Sequence, residues 1–162
     1  MSQTKRFFRL FLTVCLLLTL VMFAAACGKE EKEIDMTALA ARLQGDLGLA
    51  AELSSVEEEV FGYLYDVAPE SYTEQVLLLS TGATSDEICL VKAADQNSQK
   101  IVKEKMIARI DAQKESFAAY LPQEAAKLEN AVITEEGNYL FLVVCSDPEK
   151  ADNIIKEALQ EK

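Results

Sequence analysis

Residues 74–94 read EQVLLLSTGATSDEICLVKAA: two short apolar runs, Glu74–Thr81 and Glu87–Ala94, on either side of Gly82-Ala83-Thr84-Ser85-Asp86. Apolar runs of this length, bounded by a cluster of turn-forming residues, predict two strands joined as a hairpin. The pattern returns further on. Ala131–Thr134 and Tyr139–Cys145 (YLFLVVC) flank a turn at Glu135-Glu136-Gly137-Asn138, where Gly and Asn supply the left-handed backbone that a tight turn needs. Each hairpin is followed by a helical pattern. The first starts at Asn97 or Ser98 and carries Val102, Met106, Arg109/Ile110, Gln113, Phe117 and Tyr120 as one stripe. It should stop at Leu121, because Pro122 disfavours helical geometry in the residue before it, and a short helix through Leu128 follows. The second opens at Asp147-Pro148, with Pro in the first helical position, and presents Ile154, Ile155, Ala158 and Leu159.

The halves also echo one another in sequence. Leu90-Val91-Lys92-Ala93-Ala94-Asp95, then Ile101-Val102-Lys103-Glu104, resembles Leu142-Val143-Val144-Cys145-Ser146-Asp147, then Ile154-Ile155-Lys156-Glu157. The expected class is α+β: a four-stranded antiparallel sheet from two ββα units, with both repeat helices on one face. Strand Tyr139–Cys145 is apolar on both faces, unlike the clean alternation of a one-sided sheet. Two additional N-terminal helices are expected to help cover the second face. The first carries Met36, Leu39, Ala40, Leu43 and Leu47, with Asp35 or Thr37 as cap and Gly45 and Gly48 at its end. The second begins at Ser54/Ser55, where Ser54-x-x-Glu57 and Ser55-x-x-Glu58 both fit a capping box. Its stripe is Val56, Val60, Phe61 and Leu64, and Pro69 marks the loop beyond. Phe117 and Phe141 are expected to face the interior.

The N-terminus reads differently. A basic stretch ends at Arg9, an uncharged run follows from Leu10 to Ala26, and Ala24-Ala25-Ala26 leads into Cys27. Basic start, apolar middle and small-residue boundary are the marks of a secretory signal. Seventeen uncharged residues sit at the short end of the spanning range, roughly 17–25, so length does not exclude a membrane helix, and the Cys decides. The boundary resembles the bacterial lipobox, with Ala24 where Leu is usual. The expected organisation is a signal peptide over 1–26, a lipid anchor and charged tether over 27–34, and one α+β domain over 35–162. Cys27 is the expected lipid-attachment residue, and the outer face of the cell membrane the expected location.

Three of the 16 basic residues (Lys5, Arg6, Arg9) and none of the 27 acidic ones precede Cys27, so the remainder carries 13 basic groups against 27 acidic, a net of −14. Phosphate polymers are repelled by such a surface, so nucleic acid is not expected as a partner and another protein is. The chain has no His, which removes imidazole triads and Cys–His nucleophile pairs. No cofactor, metal or catalytic residue is assigned. Carboxylate-only catalysis on a cell-wall glycan stays conceivable, with Glu57, Glu58, Glu135 and Glu136 as candidate acids, but each sits in a charge run or turn. The two thiols beyond Cys27, Cys89 and Cys145, lie on apolar segments without C-x-x-C spacing and are expected to be buried and reduced. A non-catalytic binding or interaction module is the leading functional reading. A folding helper or accessory subunit of an exported complex is the alternative, and a hydrolase ranks behind both.

Glu87-Ile88, Ser116-Phe117-Ala118-Ala119-Tyr120-Leu121-Pro122, Asn130-Ala131-Val132-Ile133 and Gly137-Asn138-Tyr139 together resemble a family of bacterial lipoproteins, domain of unknown function 4358. The resemblance extends over residues 36–159. It implies a membrane-anchored extracellular domain and assigns no reaction, cofactor or substrate.

Overall fold

Residues 33–49 and 51–160 are those that the computed structural model describes; the expected signal peptide 1–26, Cys27 and residues 28–32 of the expected tether lie outside them. Ile34, the last residue of the expected tether, is buried, and its amide donates to the Tyr139 hydroxyl at 3.2 Å. Helix α1 (Met36–Asp46) follows, capped by Asp35, whose carboxylate accepts from the Ala38 amide at 2.9 Å. That bond satisfies one of the free amides at the helix start. Met36, Leu39, Ala40 and Leu43 form the buried stripe, and Gly48, at φ +73°, turns the chain away.

The elements that follow are β1 (Leu53–Ser55), α2 (Glu58–Tyr65), a 3-10 turn (Pro69–Ser71), β2 (Tyr72–Ser80), β3 (Glu87–Ala93), α3 (Gln96–Ala118), α4 (Pro122–Glu129), β4 (Val132–Glu136), β5 (Tyr139–Val144) and α5 (Pro148–Gln160). The strands make one antiparallel sheet in the order β1-β2-β3-β5-β4. The class is α+β, as the two hairpins imply, with five strands rather than four.

The additional strand corrects the capping-box reading of Ser54 and Ser55. Both residues lie in β1, paired with Leu79 and Leu78, and α2 starts at Glu58 with no side-chain cap from Glu57. A helix cap contributes about 1 kcal/mol. Burying Leu53 contributes about 1.5–3 kcal/mol, and the ladder to β2 adds to it, so the tertiary contact prevails over the local signal. The α2 stripe shifts accordingly: Phe61 and Tyr65 are buried, whereas Val60 faces solvent.

Side chains of successive residues alternate between two cores. On the front face, Leu78, Ile88, Leu90, Tyr139, Phe141 and Val143 pack with α1 and α5. On the back face, Leu77, Cys89, Val91, Leu140, Leu142 and Val144 pack with α2, α3 and α4. The helices after the two hairpins therefore lie on opposite faces, not on one. The strands already carry the reason. The sequence echo aligns Leu90 with Leu142, yet Leu90 points to the front and Leu142 to the back. With a side-chain period of two, that offset sends corresponding positions to opposite sides. The cover of the faces changes with it: α1 joins α5 in front, and α2 joins α3 and α4 behind.

Cys89 sits in the back core and Cys145 in the front core, both buried and free, with the sheet between them. Phe117 and Phe141 are both interior, one behind the sheet and one in front. Phe→Ala at a buried site costs about 3–5 kcal/mol, so Phe117→Ala and Phe141→Ala should each lower the denaturation midpoint in urea substantially. The second, at a fully enclosed position, should lower it more; unchanged midpoints would refute this packing.

Candidate functional site

The head of β3 collects polar groups where apolar ones are expected. Ser85, Asp86 and Glu87 are consecutive and only 3, 2 and 3 % exposed, and Glu124 on α4 joins them at 6 %. Buried carboxylates persist only when cations or hydrogen-bond donors compensate them, and here every one is compensated. Glu87 points to the back face, where Arg109 of α3 donates to it through Nε at 2.9 and 3.1 Å and through Nη2 at 2.8 Å. Gln113, one turn on, donates at 3.2 Å, and the Tyr65 hydroxyl of α2 also donates to Glu87. Arg109 lies over the Tyr65 ring, its Cζ 5.0 Å from the centroid. One carboxylate thus ties two helices to the strand.

The second group faces α4. Lys127 bridges Asp86 (3.1 and 2.9 Å) and Glu124 (3.0 Å), while Ser85 donates its amide and hydroxyl to Glu124 at 2.8 and 2.9 Å. Helix α3 ends at Ala118, three residues before the expected stop at Leu121, and Pro122 opens α4 and so brings Glu124 and Lys127 to the strand head. Beside the two groups lies a cleft of about 250 Å³ whose lining includes Thr84, Glu87, Arg109, Gln113, Phe117 and Tyr120.

Protonation states follow from these contacts. Burial pushes the Glu124 carboxyl up, but the Ser85 hydrogen bonds and Lys127 outweigh it and hold the group below its ordinary value. Burial opposes the charge of Lys127, and Asp86 and Glu124 reverse that, leaving the ammonium above its ordinary value. Tyr65 is raised well above the usual phenol by burial, then by Cys89 and Glu87. Burial, then Glu87, pushes the Cys89 thiol up, and burial first also raises Cys145. Neither cysteine is a thiolate at neutral pH, and nucleophilic sulfur chemistry needs the thiolate.

The four glutamates read as candidate acids are all exposed. Glu57 and Glu58 stand at the start of α2; Glu135 and Glu136 end β4, where Glu135 pairs with Lys103 at 3.0 Å. No two of them face each other across the cleft at the head of β3, which none of them lines. Cys27 lies outside the described residues. Among those residues no group of three or more His, Cys, Asp or Glu is placed to hold a metal, and no helix is long and apolar enough to cross a membrane. The buried network escaped the sequence reading because its partners on different elements are 22 to 41 positions apart. One signal was present: Arg109 and Gln113 interrupt an otherwise apolar stripe, which calls for a buried acceptor opposite.

Removing one member of a buried ion pair typically costs about 3–5 kcal/mol, because the other charge is left uncompensated. Arg109→Met should therefore destabilise strongly in urea, and adding Glu87→Gln should recover part of the loss; strictly additive effects would mean the pair is not coupled. Glu124, with its value depressed in the folded state, contributes stability that is present above the ordinary carboxylate value of about 4.3 and is lost as pH falls through the folded value. Glu124→Gln should accordingly be less stable than wild type at pH 7, with the difference shrinking as the pH is lowered through that range. A constant difference across acid titration would contradict the assignment.

The chain matches no curated protein and no solved structure. The family model for Domain of unknown function (DUF4358) matches residues 46–145, a narrower span than residues 36–159. It runs from the end of α1 to the residue after β5 and takes in the entire sheet and the polar network. With most of its length matched, the chain belongs to the family of Domain of unknown function DUF4358.

Proposed function

We propose that this protein is a lipid-anchored module on the outer face of the cell membrane that binds another protein and performs no chemistry of its own. The observation that carries the non-catalytic reading is the commitment of the buried carboxylates. Arg109, Gln113 and Tyr65 hold Glu87, Lys127 and Ser85 hold Glu124, and the same Lys127 holds Asp86. A carboxylate hydrolase needs two acids whose surroundings drive their protonation apart beside a substrate, and Glu57, Glu58, Glu135 and Glu136 are solvated instead. The anchor reading is supported by the order basic, apolar, Ala24-Ala25-Ala26-Cys27. Two acyl chains, at ~0.8 kcal/mol for each buried CH₂, hold a protein stably where a single chain does not. The net of −14 beyond the signal favours a basic protein over an anionic polymer as partner.

Detergent phase partition of whole cells tests the anchor. Wild type should enter the detergent phase as a form beginning at Cys27, and Cys27→Ala should persist as an unlipidated precursor; a processed but unlipidated wild type would contradict the reading. Crosslinking in intact cells tests the binding role. A captured protein whose recovery falls as salt rises is expected, and capture of an anionic polymer instead would overturn it.

A further inference from the structure

Helix α2 turns aromatic residues both ways. Phe61 and Tyr65 enter the back core, yet Tyr63 is 85 % exposed, and Val60, one turn before it, is 37 % exposed. Beside them is a cavity of about 420 Å³ between α2 and the start of β2, larger than the cleft at the head of β3. Its walls are Glu58, Glu59, Tyr63 and Tyr72, closed by Val67 and Pro69 with the Gly62 backbone between, and no Lys or Arg lines it. Burial, then the neighbouring Glu58 and Glu59, raises the Tyr72 phenol above its ordinary value. Both carboxylates thus act on the inner wall. The positive end of α2 contributes about half a unit charge, less than either carboxylate supplies, so the cavity stays negative. Among the described residues neither Glu58 nor Glu59 is ion-paired; the nearest pair on this helix, Asp66 with Lys105, lies just past its opposite end.

Carboxylates set among tyrosine rings are the surroundings in which a cation is attracted both by charge and by the ring faces. We propose that this cavity receives a lysine or arginine side chain of a partner polypeptide, with Val60 and Tyr63 covering the apolar residues beside it. The proposal rests on the binding reading above and gives it a location. A polypeptide fits better than a small free cation because the exposed rim is apolar as well as the walls acidic, and a single ion would leave that rim in water.

The test uses the full chain in detergent micelles, titrated with the peptide acetyl-Gly-Lys-Gly-amide, its Arg counterpart and a neutral norleucine counterpart, and read by amide shifts in NMR. Saturable shifts at Gly62, Tyr63 and Tyr72 are expected for the two cationic peptides and not for the neutral one. Glu58→Gln and Glu59→Gln should each weaken binding by about fivefold, the worth of a charge pair at 4 Å in water, and Tyr63→Ala by about threefold. These side chains are exposed or lie at the rim, so thermal midpoints should hold. Equal binding of the norleucine peptide, shifts centred elsewhere, or unweakened variants would overturn the proposal. Crosslinking in cells separates it from its premise. A triple variant that captures the wild-type partner in full yield defeats this location alone, whereas no captured protein from any version defeats the binding reading itself.

Discussion

Two adjacent strands buried on both faces impose the rest of the structure. Every residue of β5 is buried, and all of β3 but Lys92. The two strands are paired along most of their length at the centre of the sheet. Their side chains alternate front and back, so each face presents a continuous apolar surface that water cannot be allowed to reach. Helices on one side alone would leave half of it exposed. The front therefore takes α1 and α5, and the back takes α2, α3 and α4. The edge strands β1 and β4 are short and carry Ser, Thr and Glu, which suits a sheet whose margins are wet and whose centre is dry.

The polar cluster at the head of β3 is a consequence of the same arrangement. Where the strand emerges from between the layers, Asp86 and Glu87 still cannot reach bulk water, because side chains of α3 and α4 cover them. Glu87 then meets Arg109, Gln113 and Tyr65, and Asp86 meets Lys127. Apolar residues could fill such a place with comparable stability. Directional bonds do something else: they set where two helices and a strand meet, to within hydrogen-bond tolerance. This is a framework role, and it leaves the outer surface of α2, with Tyr63 and two glutamates, as the less constrained part of the domain.

Much of the fold was legible because its signals are local. Asp35 caps α1, Gly137 turns the second hairpin at φ +56°, and Pro148 starts α5, each as spacing implies. The first hairpin falls at Tyr72–Ser80 and Glu87–Ala93, within two residues of its expected ends. Three features were not legible, for three reasons. β1 is three residues long, too short to show alternation, and its serines mimic a helix start. The placement of α3 and α5 on opposite faces depends on strand register, which the ββα echo conceals by aligning residues of opposite parity. The polar network depends on side chains such as Arg109 and Lys127 that come together only after folding. Of the residues around the cavity at α2, only Glu58, in a run of charges, and Pro69, in a loop, stood out in the sequence.

If the two-sided burial of β3 and β5 governs the fold, these strands should be the last to open. Native-state hydrogen exchange measures this directly, since it gives an opening free energy for each protected amide. The account predicts that amides of Ile88–Val91 and Leu140–Val143 exchange only through global unfolding, with an opening free energy equal to that from urea denaturation, while β1 and β4 open at lower cost. Exchange of the β3 or β5 amides through a smaller opening, while α3 or α5 stays protected, would contradict it.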